Sequence, residues 1–98
     1  MAEPGPEELL REVSCTPAEY AHGLGNAFPQ GLSGGPLDFR VEGQGAAMAI
    51  HLTPGPDRVI ALLRLPTLTA RIRFTAGDAE ARARMLRHMD LAMQRGGG

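Results

Sequence analysis

The stretch Arg58 to Phe74, RVIALLRLPTLTARIRF, most constrains what this chain can fold into. In its second half Leu68, Ala70, Ile72 and Phe74 alternate with Thr67, Thr69, Arg71 and Arg73. That is the two-residue rhythm of a half-buried strand with one apolar and one basic face. In its first half both faces are apolar: Val59, Ala61, Leu63 and Leu65 on one side, Ile60 and Leu62 on the other, between Arg58 and Arg64. A strand apolar on both sides is either covered twice or contributes to an interface. A competing reading makes 57–64 a short helix stopped before Pro66. As a strand, the run ends at Pro66, in a type I turn over Leu65-Pro66-Thr67-Leu68.

The remaining elements are read as pairing beside this segment or packing on it. Thr16-Pro17-Ala18-Glu19 has the form of a capping box with proline where a missing N–H costs nothing, so a helix is expected from Pro17 to about Phe28. Its buried stripe would be Tyr20, Leu24, Ala27 and Phe28, with Gly23 and Gly25 weakening it. Residues 9–15 fit a strand or a short helix. The strand is preferred because a helix ending at Cys15 leaves almost no connection before Pro17. PQGLSGGP over 29–36 has loop composition. Leu37, Phe39 and Val41 form the apolar face of one strand; after a turn at 43–45, Ala46, Met48, Ile50 and Leu52 form that of the next. Thr75-Ala76-Gly77-Asp78 offers two helix caps, and the helix that follows, to about Arg95, would bury Ala79, Ala83, Leu86, Met89 and Met93, flanked by Met85 and Ala92.

The resulting order is β-α-β-β-β-β-α. It predicts an α+β, two-layer sandwich: a mostly antiparallel sheet of four to five strands with two helices on one face. Residues 8–95 form a single domain, between a flexible tail over 1–7 and a Gly tail over 96–98. The open face of the sheet would carry Arg58, Ile60, Leu62, Arg64, Thr69, Arg71, Arg73 and His51.

Charge excludes several classes of partner. The formal net charge is −1, so no global field gathers nucleic acid or an anionic membrane. All ten basic residues are arginine, as a GC-rich, bacterial-type coding sequence produces; arginine also suits bidentate carboxylate or phosphate recognition. No run approaches the ~18 apolar residues of a membrane span, and the acidic N-terminus lacks a signal-peptide pattern, which points to the cytoplasm. Cys15 is alone, which excludes an intramolecular disulfide.

No catalytic constellation is recognisable, and no cofactor or metal is implied. The loop over 31–35 leaves a helix C-terminus, the wrong polarity for a phosphate cradle. His22, His51 and His88 fall on three elements at no ligand spacing. Cys15 at a strand end before a helix could favour a thiolate, but free cysteine is more often core. The leading expectation is a non-enzymatic binding or interaction protein that forms a homodimer through its sheet face. Ile60 and Leu62 would be the apolar centre of that interface, and Arg64, Arg71 and Arg73, with His51, its rim or the contacts to an unidentified acidic protein partner. The second is an anion or nucleic-acid binder using the same arginines, although the face has no stacking aromatics. The third is a small enzyme with a pocket between sheet and helices, using Cys15 or His51.

Overall fold

The computed structural model describes residues 8–97, with side chains described as far as Met93. The tail expected over 1–7 and the last residue of the Gly tail lie outside it. The elements are β1 (Glu8–Val13), α1 (Pro17–Ala27), β2 (Leu32–Gly34), β3 (Asp38–Gly43), β4 (Ala46–Pro54), β5 (Arg58–Ile60), β6 (Leu63–Leu65), β7 (Leu68–Ala76) and α2 (Ala79–Gly97). Five strands pair antiparallel in the order β1-β7-β4-β3-β2, and β5 and β6 form a separate two-stranded ribbon. The chain is thus the expected α+β sandwich, with both helices on one face of a mostly antiparallel sheet.

Local chemistry accounts for the elements that the sequence made plain. Thr16 Oγ1 accepts from the Glu19 amide at 3.1 Å, and Glu19 Oε1 accepts from the Thr16 amide at 2.9 Å, so the capping box closes reciprocally. The stripe Tyr20, Leu24, Ala27 and Phe28 is buried as its spacing requires. Asp78 opens α2 by accepting from the Ala81 amide at 2.8 Å. Alternate residues of every long strand point into one core: Val41 from β3, Met48, Ile50 and Leu52 from β4, Leu68 and Ile72 from β7. Leu24, Met85 and Met89 of the helices close it from above.

Four readings change. First, Arg58–Leu65 is not one strand in the sheet. It folds back at Ala61-Leu62 into the β5–β6 hairpin, and Ala61 takes the left-handed φ of 54°. Second, the edge place in the sheet goes to Leu32–Gly34, inside the expected loop; Gly31 permits the approach, since a Cβ there would lie 1.9 Å from the Glu42 carbonyl oxygen. Third, α2 buries Ala81, Met85 and Met89 and leaves Ala79 and Ala83 exposed, a phase set by the α1 face it meets. Gly23 admits the Met93 side chain 3.1 Å from where its Cβ would stand, so this glycine serves helix packing. Fourth, Pro66 sits in no helical or turn segment. Instead Thr67 fastens the base of the hairpin: its carbonyl accepts from the Gly55 amide at 3.0 Å, and its hydroxyl donates to the Pro56 carbonyl at 2.7 Å.

Candidate functional site

The open face of the sheet can be built row by row from the register. One row runs Glu8, Arg73, Ala49, Arg40, Ser33 across β1, β7, β4, β3 and β2. The next runs Leu10, Arg71, His51, Asp38. All of these side chains point away from the helices, because their chain neighbours fill the core. Between them lies a shallow concavity of about 450 Å³, floored by Ala49.

The two rows differ in how their charges are satisfied. In the second, Asp38 accepts from His51 Nδ1 at 2.6 Å, so that nitrogen carries the proton, and Arg71 is ion-paired to Glu8 from the neighbouring row. In the first, Arg40 and Arg73 have no acid within ion-pair distance among the described residues. They stand on either side of Ala49, with Cα atoms ~10 Å apart, two strand spacings. A methyl-sized floor between two long guanidinium side chains leaves room for both to reach one anion. The fork geometry suits carboxylate or phosphate oxygens.

Of the residues expected here, Arg71, Arg73 and His51 are brought together. Arg64 is not: it lies on β6, 3.8 Å from Asp57 and largely solvated. Ile60 and Leu62, the expected apolar centre of the face, also sit on the hairpin, where Leu62 is fully exposed. The sheet face therefore has no apolar centre, and Leu10 is its single large exposed apolar side chain among the described residues. Arg40 was overlooked as a site residue. The turn at Gln44-Gly45 pairs Gly43 with Ala46, and counting back along both strands already sets Arg40 opposite Ala49.

A second depression, of about 840 Å³, opens on the helix side of β1. Its walls include Val13, Cys15, Tyr20, Gly23, Met89 and Met93, and at its rim are the ion pair Arg11–Asp90 with Glu19 and His22. Burial, and then the charge of Glu19, push the Cys15 thiol up from its ordinary range, the reverse of an activated nucleophile. Burial likewise pushes the Tyr20 hydroxyl up to about 12. Cys15 faces the helices and His51 the open face, so the two do not share a pocket. His88 on α2 is half-buried. Its Nε2 donates to the Ala27 carbonyl at 2.7 Å and its ring meets Phe28 edge-on, which caps α1. No group of three side chains suited to holding a metal ion occurs among the described residues, and none of their helices is long and apolar enough to cross a membrane. Compared with protein-family models, curated proteins and solved structures, the chain gives no match.

Proposed function

We propose that this chain is a small non-enzymatic binding protein that holds an anionic ligand on the open face of its sheet. Arg40 and Arg73 form the clamp; Arg71 and the Asp38-held His51 stand beside it. The observation that carries this reading is the first cross-strand row, in which two arginines without acidic partners among the described residues flank an alanine. Paired arginines are already neutralised; an unpaired pair over a concavity has its charge available for a ligand. The size of the concavity favours a carboxylate- or phosphate-bearing small molecule over a polymer. The absence of aromatic side chains on the face among the described residues argues against stacked nucleobases. A lone, partly buried thiol is in keeping with work in a reducing, cytoplasmic setting.

Titration with inorganic phosphate and with a series of dicarboxylates, followed by amide chemical shifts, tests the reading. Shifts centred on Arg40, Ala49 and Arg73 that weaken steeply with added salt are expected. Shifts spread evenly over all arginines, or none at millimolar anion, would refute it. Replacing Ala49 with Leu separates shape from charge: it fills the floor, removes no charge, and should abolish the response.

A further inference from the structure

The β5–β6 hairpin is the least satisfied part of the molecule. Among the described residues it pairs only with itself, and Val59, Ile60, Leu62 and Leu63 are 61%, 50%, 100% and 62% exposed. A two-stranded ribbon is marginal in water unless something covers it, and apolar side chains gathered on one projection mark an interaction surface. Its direction is nonetheless fixed at the base by the two hydrogen bonds of Thr67, so little ordering remains to be done on contact.

We propose that the occupant of this arm is a second copy of the chain: the hairpin of each protomer seats in the helix-side groove of the other. Three observations select that partner. The groove surface is mostly apolar and includes Met89 and Met93, whose flexible side chains adapt to an inserted group, and its volume of about 840 Å³ has room for a hairpin tip. Arm and groove lie at the same end of the sheet. Val13 pairs with Leu68, three residues after β6, and Cys15 of the groove follows two residues beyond Val13. One twofold axis at that end can therefore satisfy both arms at once. The charges also match. Arg58 and Arg64 flank the apolar tip with Asp57 beside Arg64, which leaves the arm one positive charge in excess; at the groove rim Arg11 is paired to Asp90 and Glu19 leaves one negative charge in excess, and a net charge of −1 sets up little repulsion between copies.

The full-length chain tests this directly. Its mass by sedimentation should be that of a dimer, and Leu62→Asp should be a folded monomer whose melting, unlike the wild type's, does not depend on concentration, since that side chain is fully exposed within the protomer. A monomeric wild type, or a Leu62→Asp chain that stays dimeric, overturns the proposal. The lone cysteine gives a second, independent reading. In Leu62→Cys, a short bis-maleimide should join Cys15 of one copy to position 62 of another, identified by mixing isotopically light and heavy chains. Links within one chain would mean the arm folds into its own groove, and links only between two positions 62 would mean the arms meet tip to tip; either result overturns the exchange. A wild type that is monomeric but binds lipid vesicles through Leu62 would reassign the arm to a membrane. None of these variants touches Arg40 or Arg73, so anion binding stands or falls separately.

Discussion

If Arg40 and Arg73 grip one anion, replacing either with Gln should weaken binding sharply while leaving the fold unmoved. The stability side follows from geometry. Two like charges ~10 Å apart in water repel by about 0.4 kcal/mol, and physiological salt screens most of that. Both side chains are exposed and neither has an internal ion pair among the described residues. Arg40→Gln and Arg73→Gln should therefore change unfolding free energy by less than about 0.5 kcal/mol. On the binding side, a charge-assisted contact is worth about 1.5–3 kcal/mol when sheltered. At a solvated face we discount this to about 1–1.5 kcal/mol, a five- to tenfold loss of affinity. Because both arginines hold the same anion, the double variant should lose less than the sum of the singles. Calorimetric titration of the four proteins at low and physiological salt, with urea melts alongside, measures both sides. Arg64→Gln is the control, since it removes the same charge from the hairpin. Equal losses from Arg64→Gln and Arg73→Gln would reduce the effect to bulk charge and refute the clamp.

Three further outcomes follow from the fold. Thr16→Ala removes the side-chain acceptor of the α1 cap and should cost about 1 kcal/mol in urea unfolding, without altering anion binding. Gly31→Ala would drive a methyl into the Glu42 carbonyl, so β2 must leave β3; faster amide exchange confined to 32–34 and 39–41 is the expected signature. Tyr20 is held neutral in the fold, its hydroxyl pushed up to about 12 by burial, against ~10 when unfolded. The unfolded chain releases that proton first, so stability is intact below ~pH 10 and falls by about 2–3 kcal/mol as pH rises toward 12. Alkaline melts followed by tyrosinate absorbance read both quantities, and a hydroxyl that titrates near its ordinary value in the folded chain would contradict the buried placement.

How much of this was legible in the sequence depends on how local the deciding physics is. The α1 cap and stripe and the alternation of β3, β4 and β7 are each determined within a few residues and readable there, whereas 75–78 offers two caps for α2 and the fold uses Asp78. The hairpin was not. Apolar residues on both faces of 58–65 look the same whether they are covered twice or projecting into solvent, and Ala61-Leu62 carries none of the usual turn residues. The phase of α2 was misread because alanines and methionines surround that helix, and only the partner surface chooses among them. β2 was hidden by Ser33 and Gly34, residues that signal a loop unless a neighbouring strand claims their backbone. At the candidate site the residue types were visible, but their grouping depends on register: Arg64 was assigned to the face because its segment was, and Arg40 was overlooked because its strand was read alone.

The sheet order has a consequence for how the chain comes to exist. β1 is synthesised before the other described strands, yet its partner is β7, and the Arg71–Glu8 ion pair joins residues 63 positions apart. While the ribosome is still making the middle of the chain, β3 and β4 can already meet through their short turn, and α1 can be capped. Leu9 and Val13 then have no strand to lie against until Leu68–Ala76 has emerged. A strand that leaves the exit tunnel before its partner is thus among the last to be secured. A nascent chain stalled before β7 would present both a strand edge on β4 and an unpaired N-terminal strand, the pair of surfaces that chaperones capture and that aggregation exploits.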